Sequence, residues 1–284
     1  MIRFARILQR HWDWRAACNF VFGGTGGALL ALAVLIDGGH AVRSALPLLA
    51  LALVGAGLGC VWLEIGRPWR ALNVFRHPQR SWMTREAFVA SATFALAVAG
   101  LALGVPALLA ASGVGGLAFL YCQARILRAA RGVPAWRQQA IVPFVVATGL
   151  AEGAGLAVAL LALAGPTPAW LGWLLLGCLM ARALAWYQYR AALKSDGAPE
   201  PTLALVARLH APLLVSGTAV PVILLALALT TGGSVTTVSN AAAGVFALLA
   251  GWAIKFVLVT RAAHLQGYAF GKLRTGHPLA RARS

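Results

Sequence analysis

Acidic residues are scarce in this sequence, and charge of either sign is sparse. The 284 residues include seven Asp and Glu against 24 Lys and Arg, and charged residues make up 11% of the chain, whereas soluble domains usually carry about 25%. Hydrophobic residues make up 60%, and the mean hydropathy is +0.79. This composition excludes an ordinary soluble domain and indicates a protein embedded in a membrane.

Cysteine is also rare. Four cysteines lie in four different apolar stretches without any CxxC spacing; they are Cys18, Cys60, Cys122 and Cys178. This spacing excludes a recognisable zinc or iron–sulfur site and a disulfide framework. We therefore expect no metal in this chain and interpret the thiols as buried structural side chains.

Long apolar runs are what the sequence has in abundance. Eight runs could each cross a hydrocarbon core of about 30 Å as a helix of about 20 residues. Backbone groups cannot stay unpaired in lipid, and the runs lack the alternation of a barrel strand. We predict an all-α integral membrane protein with residues 1–284 in a single membrane domain. Its eight transmembrane helices are predicted near residues 14–36, 44–64, 86–104, 106–128, 139–164, 168–190, 204–230 and 240–260.

The basic residues lie on one side of this predicted topology. They precede the first run and follow the second, fourth, sixth and eighth, whereas only Arg43 falls in the other set of connections. The positive-inside rule makes the basic side cytoplasmic, so we predict both termini in the cytoplasm and the chain in the bacterial cytoplasmic membrane. Topology and attraction to anionic lipid account for the net charge of +17. The expected partner of this charge is therefore the lipid bilayer, not nucleic acid.

The second connection concentrates polar residues between two apolar runs, in LEIGRPWRALNVFRHPQRSWMTREAF (residues 63–88). Glu64 ends the second predicted span, and Glu86 follows a capping Thr84 in the first turn of the third, so the two carboxylates are expected at similar depth. A carboxylate pair at the membrane edge suits a quinone, because quinol releases two protons when it gives up two electrons. The alternative is that the carboxylates form salt bridges with neighbouring arginines and fix the loop.

Three segments of this connection, LEIGRP (63–68), RALN (70–73) and SWMTRE (81–86), resemble the signature hairpin of the dimethyl sulfoxide reductase anchor-subunit family. That family is related to the membrane subunit of polysulfide reductase. The eight spans, the Gly-rich first span and YCQAR (121–125) extend the resemblance. It implies a non-catalytic subunit without haem that binds ubiquinone or menaquinone. It also implies a partner iron–sulfur electron-transfer subunit, itself joined to a molybdopterin catalytic subunit.

The resemblance also implies particular site residues. In that family a glutamate at the position of Glu86 is associated with the quinol site, and the position of Glu64 holds histidine in the dimethyl sulfoxide reductase anchor. Glu64 is therefore a departure, since a carboxylate lacks the protonation change of imidazole near neutral pH. Arg67 and Arg70 are the further candidates for quinone binding. Because the hairpin is predicted to be cytoplasmic, we expect the partners on that face, and an acyl-coenzyme A compound is one substrate class for such a complex.

Two ionisable residues are predicted deep in the membrane. Glu152 lies about 14 residues into the fifth span, roughly 20 Å at 1.5 Å per residue, and Arg182 on the next span lies at a similar depth. An ionisable group at that depth marks a function or a buried partner, so we predict a Glu152–Arg182 pair. The pair either orients two helices or belongs to a proton or ion path. The second interpretation supports an alternative function, a secondary transporter with a midplane site.

A third hypothesis is a cytochrome b-type haem anchor, which needs paired axial histidines on facing spans. Of the six histidines, only His210 and His264 are predicted near helix ends on one face. At most one haem could be bound this way, so the sequence favours a chain without haem.

Overall fold

The structure, a computed structural model, describes residues 4–9, 11–65, 73–76 and 78–268. Within these ranges, eight helices are long and apolar enough to cross a membrane. They are α1 (Trp14–Ala33), α2 (His40–Glu64), α3 (Trp82–Leu103), α4 (Pro106–Ala129), α5 (Ile141–Ala164), α6 (Ala169–Ser195), α7 (Glu200–Thr230) and α8 (Gly233–Thr260). The predicted all-α membrane bundle of eight spans is confirmed.

The predicted boundaries differ from the observed ones at some helix starts. Helix α3 begins at Trp82, four residues before the predicted start of that span, because Ser81 caps it: the Ser81 hydroxyl accepts a hydrogen bond from the backbone N–H of Thr84 at 3.3 Å. The predicted cap, Thr84, is therefore wrong. Glu86 consequently lies in the second turn of α3 rather than in the first.

Helices α1 and α5 form the centre of the bundle. In their most apolar stretches, 83% and 72% of the residues are buried inside the protein. The Gly-rich segment of α1 allows this close packing. A Cβ on Gly27 would meet the carbonyl of Gly116 on α4 at 2.6 Å, and one on Gly26 would meet the carbonyl of Ala50 on α2 at 2.6 Å. A side chain at either position would separate the backbones, so these glycines let α1 pack closely against α2 and α4.

Two spans contain one π-helical turn each, Asn19–Gly23 in α1 and Val215–Ala219 in α7. A π-turn widens the helix and shifts its hydrogen-bond pattern, and such turns occur frequently at functional sites. Each of these turns offers a backbone carbonyl to a buried cation from another helix. Phe20 accepts from Lys255, and Gly217 accepts from Arg182.

The two ends of the described chain meet in a small antiparallel sheet. Strand β1 (Phe4–Leu8) pairs with strand β2 (His264–Tyr268), and the backbone N–H of Gln9 donates to the carbonyl of Ala263 at 2.9 Å. We call the end of the bundle that carries β1, β2 and the ends of α2, α4 and α6 the terminal face. The sheet places the segments before α1 and after α8 on this one face.

Aromatic side chains close the helix ends at the terminal face. Trp136, on a short helix (Pro134–Arg137), donates from its ring N–H to the carbonyl of Leu258 at 3.0 Å, and the hydroxyl of Tyr189 donates to the carbonyl of Ala135 at 2.8 Å. Both side chains are buried. Their polar atoms are satisfied inside the protein, so these aromatics hold helices together rather than anchoring them at the lipid interface.

Candidate functional site

A pocket lies at the terminal face, where the start of α1, the end of α2, the start of α3 and the end of α4 meet. Its cavity volume is about 60 Å³. Apolar side chains form most of its wall, and three polar side chains face it. Its lining residues are Trp12, Ala16, Asn19, Phe20, Leu58, Val61, Glu64, Met83, Glu86 and Ile126. The pocket is therefore an apolar space with a small polar end.

Glu86 is the buried carboxyl group of this pocket, with 6% of its surface exposed. The side-chain N–H of Asn19 donates to Oε1 of Glu86 at 3.3 Å. Asn19 lies in the π-turn of α1, so this bond links α1 to α3. A buried carboxyl with a neutral hydrogen-bond donor can take up or release a proton.

Glu64 ends α2 and lines the same pocket, in a half-buried position. The structure thus brings Glu64 and Glu86 to one cavity. The other two residues of the predicted site, Arg67 and Arg70, lie outside the described residues.

Arg15 is a cation near the rim that the sequence did not single out. Its guanidinium donates to the carbonyl of Leu63 at 3.0 Å and forms an ion pair with Asp13 at 2.8 Å. Asp13 also caps the start of α1, and the hydrogen bond from Arg15 holds the pKa of Asp13 below its ordinary value. Arg15 therefore joins the end of α2 to the start of α1 beside Glu64.

A second polar group lies in the middle of the membrane-spanning region, around Glu152, which is halfway along α5. Lys255 of α8 donates to Oε2 of Glu152 at 2.5 Å and to the carbonyl of Phe20 at 2.5 Å. The hydroxyl of Thr25 donates to the same carboxylate oxygen at 2.8 Å, and the ring N–H of Trp252 donates to that hydroxyl at 2.9 Å. Glu152 and Lys255 are both almost fully buried.

The predicted Glu152–Arg182 pair is wrong. Arg182 is buried at a similar depth, but its guanidinium donates to the backbone carbonyls of Ala247, at 2.9 Å, and Gly217. The π-turn of α7 and the close approach of α8 supply these acceptors. Glu152 instead pairs with Lys255 of α8.

Two polar residues of this region were missed, Gln123 and Lys255. Gln123 is fully buried on α4, and its amide donates to the carbonyl of Asn19 at 2.8 Å. The position of Lys255 could have indicated its role. It lies five residues before the end of α8, which is deeper in the span than a lysine at the membrane interface.

No protein-family model matches the chain, and no curated protein matches it significantly.

Within the described ranges, no three His, Cys, Asp or Glu side chains lie close enough together to hold a metal ion. The two histidines considered for haem each have a protein partner. His210 accepts from the ring N–H of Trp186 at 3.1 Å, and His264 lies 3.1 Å from the hydroxyl of Thr202. Glu64 and Glu86 are the groups of the pocket that can exchange a proton with a bound molecule.

Proposed function

We propose that this protein is the quinone-binding membrane anchor subunit of an oxidoreductase complex. The observation that carries the proposal is Glu86, a buried carboxyl group at the polar end of an apolar pocket near the membrane edge. A quinone combines the same two properties, an apolar ring with a polyprenyl tail and two oxygens that exchange protons.

The pocket residues suit both parts of such a molecule. Trp12, Phe20 and Val61 supply apolar surface for the ring. At the polar end, the amide of Asn19 and the carboxyl of Glu86 can donate to quinone oxygens or accept from quinol hydroxyls. Glu64, nearer the rim, can pass a released proton to water at the terminal face.

The cavity volume of about 60 Å³ is small. In this proposal the rim opens as the quinone ring enters. Met83 is the rim side chain best suited to move, because it is 44% exposed and its unbranched chain adapts easily.

The electrons pass to partner subunits in this proposal. A bound quinone supplies the two-electron chemistry, and the partner iron–sulfur subunit exchanges those electrons with a molybdopterin catalytic subunit. We place these partners on the terminal face, which is cytoplasmic if the positive-inside rule holds, in the bacterial inner membrane with both termini in the cytoplasm. An acyl-coenzyme A compound is then an accessible substrate class.

Purification in a mild detergent tests the assembly. We expect the chain to purify with an iron–sulfur subunit and a molybdenum-containing subunit, identified by mass spectrometry and metal analysis. A chain that purifies alone would contradict the anchor function. An absorption spectrum of the same preparation tests the cytochrome b alternative, because a reducible b-type band would require a haem.

Glu86→Gln tests the site. It keeps the shape of the side chain and removes the proton acceptor, so quinone-dependent turnover should fall by about 10²- to 10⁴-fold, the usual contribution of a positioned acid or base, while the subunits still assemble. The matched control is Glu200→Gln, the same change on an exposed side chain at the start of α7. Unchanged turnover in Glu86→Gln would move the site elsewhere.

One observation favours the secondary transporter as a second candidate. The Glu152–Lys255 pair lies deep among the spans, next to the π-turn of α1, and transporters place their binding sites near the midplane beside irregular helices. Substrate-induced currents in proteoliposomes that contain only this chain would support a transporter. Their absence together with bound partner subunits would support the anchor.

A further inference from the structure

Buried polar side chains continue from the pocket toward the middle of the bundle. Asn19 links Glu86 to Gln123: the side-chain amide of Asn19 donates to Glu86 at 3.3 Å, and the amide of Gln123 donates to the carbonyl of Asn19 at 2.8 Å. On its other side, a Cβ added to Gly24 would lie 3.2 Å from Oε1 of Gln123 and 2.7 Å from Nζ of Lys255. Both polar atoms therefore pack against Gly24 and lie no more than about 6 Å from each other. Lys255 in turn contacts Glu152 at 2.5 Å. We call Glu86, Gln123, Lys255 and Glu152 the polar string.

Three oxygen atoms along this string lack a hydrogen-bond partner within the part of the chain that the structure describes. They are Oδ1 of Asn19, Oε1 of Gln123 and Oε1 of Glu152. Buried polar atoms are nearly always hydrogen-bonded, and water completes the set where protein groups do not. These atoms are therefore places where water can bind between the ionisable groups.

Glycines let these polar side chains pack directly against the backbone of other helices. A Cβ on Gly23 would lie 2.6 Å from Nε2 of Gln123, and one on Gly57 would lie 3.1 Å from Oδ1 of Asn19. At the other end, a Cβ on Gly251 would lie 2.5 Å from Oε1 of Glu152. The string thus runs along glycine surfaces contributed by α1, α2 and α8.

We propose that the polar string carries a proton from Glu86 to Glu152, so that Glu152 stores one of the two protons released by quinol. This inference rests on the proposed quinone function. Quinol passes two electrons to the partner's iron–sulfur cluster and releases two protons, one through Glu64 to water and one to Glu86.

The transfer along the string balances in charge and protons. Lys255 gives a proton to the Glu152 carboxylate across their hydrogen bond, and neutral Lys255 then takes up a proton through water beside Gln123, which comes from protonated Glu86. The net result is an ionised Glu86, a neutral Glu152 and an unchanged Lys255 ammonium. Because the amide of Gln123 does not ionise, its role is to hold water.

The charges around Glu152 and the packing beyond it make the storage of a proton on Glu152 reversible. Lys255 and Arg182 are the charged groups that act on its carboxylate. Beyond Glu152, the half of the bundle away from the terminal face is filled by an apolar core cluster that includes Leu29, Leu171 and Leu175. The stored proton therefore returns toward the terminal face.

Infrared difference spectroscopy on the complete complex in lipid bilayers, with the quinone reduced and oxidised electrochemically, tests the proposal. We expect oxidation of quinol to produce a protonated-carboxyl band that shifts in deuterated water and disappears in Glu152→Gln. Gln123→Leu, which removes the water-holding amide but not the ion pair, should abolish the band while the quinone bands persist. Gly24→Ala should weaken it, because the added Cβ would meet Nζ of Lys255 at 2.7 Å and displace it from Gln123.

Two controls separate this role from a structural one. Gly55→Ala, whose added Cβ makes only an ordinary contact with Phe94 at 3.6 Å, should leave the band unchanged. Glu152→Asp, which retains a carboxyl, should restore a shifted band. Quinone bands without the carboxyl band in the unmodified complex, or a band that survives Gln123→Leu, would overturn the proton store. Absence of quinone bands would instead refute the proposed quinone function.

Discussion

Replacing Lys255 with Met leaves the Glu152 carboxylate buried without its ion-pair partner. The Nζ–Oε2 distance of 2.5 Å corresponds to an attraction of about 6–7 kcal/mol at an effective dielectric constant of about 20. Removing two charges from water costs several kcal/mol for each ion, so the intact pair contributes little net stability. The single substitution is different, because the desolvation cost of Glu152 remains and the attraction is lost.

We expect Lys255→Met to lower the free energy of unfolding by about 3–5 kcal/mol, the usual cost of breaking a buried pair. For a chain of this length the melting temperature should fall on the order of 10 °C. The double variant Glu152→Gln/Lys255→Met should recover most of the loss, since no charge stays buried. Both are measured by unfolding in mixed detergent micelles, with Lys194→Met as the control on an exposed lysine.

The double-variant comparison contains the refuting result. A loss below about 1 kcal/mol in Lys255→Met would match an ordinary intramembrane hydrogen bond and would show that Glu152 is not held by an ion pair. A double variant that is less stable than Lys255→Met alone would also show that Glu152 is not held by an ion pair with Lys255.

Two further predictions concern packing and the terminal sheet. Gly27→Ala should destabilise the bundle by about 1–3 kcal/mol through overpacking, because its Cβ would meet the carbonyl of Gly116 at 2.6 Å. The control is Gly59→Ala, whose added Cβ would have no atom within 4 Å and should leave the free energy of unfolding unchanged in the same assay. Burial lowers the pKa of His264 below its ordinary 6.5, so the folded state binds fewer protons than the unfolded state at slightly acidic pH. The β1–β2 sheet should therefore be most stable above about pH 6.5 and lose stability as the pH falls below that value. Hydrogen exchange of the strand amides measures this stability. A His264→Gln chain with the same pH dependence would contradict the role of His264.

Much of the candidate site follows from local sequence, because Glu64 ends α2 and Glu86 lies in the second turn of α3, on either side of one connection. The apolar runs on either side of residues 63–88 make α2 and α3 antiparallel spans, which brings Glu64 and Glu86 to one face. The contribution of Asn19 was less accessible. The π-turn that contains it shifts the helix register, and neither hydrophobicity nor periodicity indicates such a turn.

The pairing of the deep charges was not accessible from the sequence. The prediction of an Arg182–Glu152 pair rested on depth alone, since both residues lie near the middle of successive spans. In the folded chain, α8 packs against α5 and α1, so Lys255 reaches Glu152, while the π-turn of α7 offers Arg182 a carbonyl instead. Depth along a helix is local information, but the direction that a side chain faces depends on its neighbours.

The sequence by itself determined that the chain crosses the membrane eight times, because lipid cannot solvate an unpaired backbone and each apolar run is long enough for one helix. It also determined which side carries the basic residues. Only the tertiary structure decided which helix faces meet, through the glycines that let α1 approach α2, α4 and α8. Those contacts in turn decided which carboxylates share a pocket and which cation neutralises Glu152, because ion pairing inside the membrane depends on distances of a few ångströms between side chains of different helices.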